Sequence, residues 1–201
     1  MAPLPAALKR QGPGSGAASG AMFGAVAATP AGAATVTGPQ PWRVWRIDAE
    51  PYAATWDSGL GAERFGGRWN PKGQRAVYCS LDPATCLVEA AVHRGFDVLD
   101  SRPHVLSCVQ IDPLSAADPG ARVVLPDELP NPAWLHGGTP SAGQQRFGAE
   151  LLAAHGVVVL PSAVSKSSWN LVFSPDLAAG RIRLLHQQRL VVDTRLNPAH
   201  A

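Results

Sequence analysis

The chain has 201 residues, 46% hydrophobic and 16% charged, a composition that supports a folded core and argues against global disorder. Lys and Arg total 17 against 15 Asp and Glu, a formal net charge of +2, and Lys9 and Arg10 are the only charges in the first 40 residues. The rest of the chain is therefore neutral, which speaks against bulk binding of nucleic acid or of an anionic membrane surface. Any anion site has to come from a few placed arginines.

Residues 1–40 contain 24 Ala, Gly and Pro and no periodic pattern of large apolar side chains. Such a stretch buries too little surface to offset its ordering entropy and reads as a flexible leader. A secretory signal is the rival reading, with Lys9 and Arg10 as the basic start and Ala17 to Ala28 as a weak apolar run before Pro30. No run of 18 strongly apolar residues follows, so no transmembrane helix is expected. Residues 41–201 form the body.

In the body, Arg43 to Ile47 alternates as a strand. Tyr52 to Gly73 is Gly-rich and aperiodic, a loop with room for one short helix. Ala76 to Ser80 reads as a second strand. Asp82 and Pro83 then open a helix as N-cap and first residue, with Leu87, Val88, Ala91 and Val92 as its apolar stripe and Gly95 beyond its end. Val105 to Ile111 is a strand, and a Pro-rich connection leads to Ser141. Ala142 to His155 is helical, stopped by Gly156. Val157 to Leu160, Asn170 to Phe173, Ile182 to Leu185 and Leu190 to Val192 are further strands. The class is α+β, in one strand-rich domain. Cys79, Cys86 and Cys108 form no C-x-x-C pair and read as reduced core residues, which points to the cytoplasm.

Four places could carry chemistry. In Gly66-Gly67-Arg68-Trp69-Asn70, glycines allow close backbone approach while a guanidinium forks onto phosphate oxygens, with Arg46 upstream as a second arginine. The same loop is also an ordinary surface turn. Tyr78 shares a strand face with Ser80 and either packs in the core or stacks on an aromatic ligand. Glu89 interrupts an apolar helix, either as a boundary glutamate paired with an arginine such as Arg94 or as a carboxylate aimed into a cleft. Ser162, in LPSAVS, directly follows a buried strand, and Asn170 begins the next one. The surroundings of Ser162 are not G-x-S-x-G, and the scattered histidines show no metal-ligand spacing, so no metal is expected.

In this order, VWRI, RFGGRWNPKGQRAVYCS, ATCLVEAAVH, LPSAVS and NLVFSP resemble the RES domain. The resemblance implies a fold similar to the ADP-ribosyltransferase toxins, a mostly antiparallel split sheet with helices around a cleft for NAD+. It implies a toxin that cleaves the nicotinamide–ribose bond of NAD+, with water or inorganic phosphate as acceptor and no cofactor. Arg46 and Arg68 would hold the phosphates and Tyr78 would pack beside nicotinamide. Glu89 would be the essential carboxylate, and Ser162 and Asn170 would bind near the phosphates or the nicotinamide ribose. An Xre-like antitoxin would cover the site in a hetero-oligomer. The Ala- and Gly-rich leader and the segment from Asp112 to Ser141 depart from the family pattern, and the leader leaves an exported effector open. ADP-ribosyl transfer to a protein and a non-catalytic interaction module are the alternative functions.

Overall fold

The first strand, β1 (Trp42–Ala49), pairs along its whole length with β3 (His104–Ile111), from Trp42 opposite Ile111 to Ala49 opposite His104. On its other side β3 pairs antiparallel with the edge strand β7 (Ile182–Arg189). A second group joins β2 (Val77–Ser80), β6 (Trp169–Phe173) and β5 (Val157–Pro161) in antiparallel register, and a two-residue β4 (Arg122–Val123) runs parallel to β5. The computed structural model describes residues 41–113 and 121–193; the expected leader lies outside them.

Both groups belong to one seven-stranded sheet of order β4-β5-β6-β2-β1-β3-β7. They meet at a single registered pair, Trp45 opposite Ser80. Beyond it β1 and β2 diverge, so the sheet is split at its middle, as the resemblance implies. The fold is α+β, one mixed sheet with helices packed on it.

One sheet face buries Val44, Val77, Val109, Val159, Leu171 and Phe173. The alternate residues Val158, Leu160 and Val172 pack under α4 (Ala142–His155), because successive strand side chains point to opposite faces. A third cluster holds Ile47, Cys86, Ala91 and Leu99 between β1, α2 (Pro83–Arg94) and α3 (Phe96–Ser101). All three cysteines are free and buried. No helix among the described residues is long and apolar enough to cross a membrane.

The cap of α2 is as the sequence indicates, and Ser141 caps α4 in the same way. The Asp82 carboxylate accepts from the Thr85 backbone N–H at 2.7 Å, and the Ser141 hydroxyl accepts from Gln144 N–H at 3.2 Å. Other expectations are corrected. Val88 and Val92 are exposed, while Leu87 and Ala91 of the expected stripe pack inward on the third cluster beside Cys86 and Ala90. Small side chains let this helix sit close on the sheet, and closeness of packing outweighs the bulk of the valines. Gly95, at φ 85°, ends α2 but also precedes the unexpected α3. Leu190 to Val192 is not a strand. The Leu190 N–H closes the ladder on His104 O at 2.8 Å, after which Leu190 and Val192 pack irregularly on the third cluster. The loop after β1 holds a 3-10 turn (Glu50–Thr55) and α1 (Leu60–Phe65).

Helix α4 approaches the Gly-Gly-Arg loop through Gly148. A β-carbon there would lie 2.6 Å from Trp69 Cβ, well inside contact distance. Gly148→Ala is expected to destabilise by about 1–3 kcal/mol through overpacking, despite alanine's better helix propensity. Thermal unfolding checks this, and an unchanged or raised midpoint would show that α4 can shift away freely.

Candidate functional site

The split between β1 and β2 opens a cavity of about 780 Å³, in the range of small-molecule sites. Arg46 and Asp48 line it from β1, Gly66 to Trp69 from the loop, Tyr78 and Ser80 from β2, Glu89 and His93 from α2, and Asn170 from β6.

The Gly-Gly-Arg loop is held by Asn70, which is 0% exposed. Its Nδ2 donates to the carbonyls of Ala62, Pro71 and Gln74 at 2.9–3.0 Å, and its Oδ1 accepts from the Tyr78 hydroxyl at 2.6 Å. The Tyr78 oxygen in turn accepts from Trp69 N–H at 3.0 Å. Burial pushes the Tyr78 phenol well above its usual range, so it stays protonated and committed to the loop. Gly67 sits against this pair: a β-carbon would come within 2.7 Å of Tyr78 Cζ and 2.6 Å of Asn70 Oδ1. The loop is thus rigid, and glycine is required where it crosses the tyrosine.

Arg68 leaves this loop half-buried and donates from Nη1 to the carbonyls of Trp134 and His136 at 3.0 and 3.3 Å. Nε and Nη2 have no partner among the described residues, and the side chain lines the cavity. Arg46 is differently placed. Its Nε and Nη2 grip both oxygens of Asp48 at 2.9 and 2.6 Å, and its Nη1 spans the split to Tyr78 O at 3.0 Å. All three nitrogens therefore have protein partners. Asp48, buried beside the cavity, escaped the sequence reading, although its i, i+2 spacing from Arg46 on one strand face was a usable signal.

Glu89 faces the wall formed by the ends of β5 and β6. Its Oε1 accepts from Ser162 Oγ at 2.7 Å and from Asn170 Nδ2 at 2.6 Å. Its Oε2 lies 3.7 Å from the imidazole of exposed His93, one helical turn on. The pairing with Arg94 considered from sequence does not occur; Arg94 donates to Ile47 O at 3.3 Å. Ser162 is 1% exposed and sits behind Glu89 rather than on the wall of the large cavity. Its oxygen accepts from the N–H groups of Val164 and Ser165 at 3.2 and 2.8 Å, leaving its hydrogen for the carboxylate. The result is a carboxylate with one oxygen anchored by two donors and the other facing the open side.

Cys79 and Cys86 also border the cavity. Burial pushes the Cys86 thiol up to about 12 and that of Cys79 higher still, so neither supplies a thiolate nucleophile at neutral pH.

The family model described as "RES domain" matches residues 43–193. A protein of Yersinia enterocolitica named Toxin Res is 28% identical over 134 residues, 66% of this chain and 83% of the relative. A protein of Photorhabdus laumondii with the same name is 30% identical, covering 66% of this chain and 81% of its own length. A Sphingobium protein named Prs ADP-ribosylating toxin is 30% identical, covering 65% and 81%. Among solved structures, the crystal structure of the M. tuberculosis MbcT-MbcA toxin-antitoxin complex contains a chain that matches with a TM-score of 0.61 and 21% identity. The match covers 76% of this chain and 85% of that one, a likeness of fold.

Proposed function

This chain belongs to the RES domain family, and on that premise we propose that it is the toxin of a toxin–antitoxin pair and cleaves the nicotinamide–ribose bond of NAD+. The observation that carries the reading is the Glu89 carboxylate, fixed through Oε1 by Ser162 and Asn170 on the wall of the split-sheet cavity.

The chemistry suits that carboxylate. Nicotinamide in NAD+ is a cation and leaves as a neutral molecule, so no general acid has to protonate it, unlike the leaving group of an ordinary glycoside. What the reaction needs is a negative charge beside the ribose as it becomes oxocarbenium-like, and a grip on the pyrophosphate. Glu89 supplies the first through Oε2. Arg68 supplies the second with the nitrogens that its backbone contacts leave unused. Arg46, held in place by Asp48 and Tyr78 O, contributes a fixed positive wall and keeps one N–H on each of Nη1 and Nη2 for a phosphate oxygen. Tyr78 offers its ring to the nicotinamide side while its hydroxyl holds the loop. Water or inorganic phosphate takes the ribosyl group, NAD+ is substrate, and no cofactor is required.

A second reading is transfer of the ADP-ribosyl group to a protein, favoured by the name of the Sphingobium relative. Tagged NAD+ separates the two: label on a macromolecule supports transfer, and free ADP-ribose or its 1-phosphate supports cleavage.

Arg68→Lys keeps the charge and loses the planar fork. The expected result is a rise of roughly tenfold or more in KM for NAD+, from loss of a charge-assisted hydrogen bond. Steady-state kinetics check this, and wild-type constants would make Arg68 a loop brace only. The cellular test is induced expression with and without the neighbouring gene for an Xre-like antitoxin. Growth arrest with falling NAD+, relieved by the neighbour, is expected; normal growth and unchanged NAD+ from folded protein would overturn the toxin reading.

A further inference from the structure

Asn170 can serve Glu89 in only one of its two amide orientations. A primary amide carries an acceptor and a two-hydrogen donor at nearly equivalent positions, and a half-turn of the group exchanges them. As placed, Nδ2 donates to Glu89 Oε1 at 2.6 Å. After the half-turn, Oδ1 would face the carboxylate and repel it.

The group that opposes the half-turn is Ser80. Ser80 and Asn170 are directly opposite on β2 and β6, which puts their side chains on one face within reach of each other. The Ser80 hydroxyl donates to Asn170 Oδ1 at 2.8 Å, and Ser80 is 3% exposed, so water does not compete for that hydrogen. Ser80 is also the β2 residue of the single pair that joins the two groups of strands, opposite Trp45. Its place is therefore fixed by the backbone at the origin of the split, where β1 and β2 begin to separate.

We propose that Ser80 is a positioning residue for the Glu89 carboxylate, acting through Asn170: its hydroxyl pins Oδ1 and so directs Nδ2 onto Oε1. The proposal rests on Glu89 being the carboxylate that acts on NAD+. When substrate draws on Oε2, Oε1 keeps its donors because the amide cannot turn. Loss of the Ser80 hydroxyl frees the amide to turn and lets the carboxylate wander from the ribose.

The experiment combines kinetics with a readout that needs no turnover. In Ser80→Ala, kcat for nicotinamide release is expected to fall roughly tenfold, the effect of one charge-assisted hydrogen bond passed to the carboxylate. KM for NAD+ should stay within about twofold, because Ser80 does not hold substrate. In the proton–nitrogen NMR spectrum, the two Asn170 side-chain amide protons, one bonded to the carboxylate, should be well separated in the unaltered protein and converge in Ser80→Ala. On an Asn170→Ala background, Ser80→Ala should cost nothing more, since the path is already cut. Ser80→Cys, of similar size and a weaker donor, should fall between.

Unchanged amide resonances and kcat in Ser80→Ala, or costs that simply add to those of Asn170→Ala, would overturn the proposal. So would failure of both Ser80 variants to fold, which would make Ser80 a packing residue. If the amide protons respond as expected while the unaltered protein releases no nicotinamide, the coupling of Ser80 to Asn170 stands and the NAD+ reading fails.

Discussion

Glu89→Gln is expected to lower nicotinamide release by about 10²–10³-fold with no loss of fold, the scale of removing one preorganised electrostatic group from an active site. The substitution is nearly isosteric, and the glutamine carbonyl can still accept from Ser162 and Asn170 where Oε1 does now. What changes is the other atom. An N–H2 group replaces Oε2, so a partial positive charge stands where the ribosyl cation would develop. A structural role would show differently, because removing a partner from two buried donors costs stability. Turnover and thermal midpoint together separate the cases. A large drop in rate at an unchanged midpoint supports the assignment, and normal turnover would remove Glu89 from the chemistry.

Asn70→Ala is expected to be the most destabilising single change near the cavity, by about 3–5 kcal/mol, the range for breaking a buried hydrogen-bond network. Alanine removes the donor for three backbone carbonyls and the acceptor for the Tyr78 hydroxyl in one step, at a site closed to water. The midpoint should drop by on the order of 10 °C for a domain of this size. Tyr78→Phe is the control. It removes one hydroxyl, leaves the Asn70–carbonyl bonds intact and keeps the ring, so it should cost about 1–2 kcal/mol and preserve most NAD+ use. Equal midpoints for Asn70→Ala and the unaltered chain, measured by calorimetry, would mean that the Gly-Gly-Arg loop owes its shape to something else.

The local signals in this sequence carry well into the structure. Asp82, Pro83 and Gly95 bracket α2, and Ser141 and Gly156 bracket α4, because caps and positive-φ stops act within a few residues. The alternation in AVYCS correctly puts Tyr78 and Ser80 on one face. Glu89 stands out because it is a carboxylate in an apolar helix. Its partners were not legible as such: Ser162 and Asn170 lie 73 and 81 residues away, and only the strand order brings them together. The same holds for Trp134, whose carbonyl holds Arg68 from 66 residues on. Strand alternation puts Arg46 and Asp48 on one face at i+2, and the nearer carboxylate takes the guanidinium that the resemblance assigns to phosphate. The exposed valines of α2 mislead for another reason, since bulk alone does not decide which face of a helix turns inward when a small-residue face allows closer approach.

Cleavage of NAD+ by Glu89 is tested by free nicotinamide, measured by chromatography after incubating the purified protein with NAD+ beside the Glu89→Gln variant at equal concentration. Stoichiometric release of nicotinamide with loss of NAD+ is expected from the unaltered chain, and release reduced by about 10²-fold or more from the variant. Intact NAD+ after prolonged incubation with folded protein, in the presence and absence of inorganic phosphate, would contradict that cleavage.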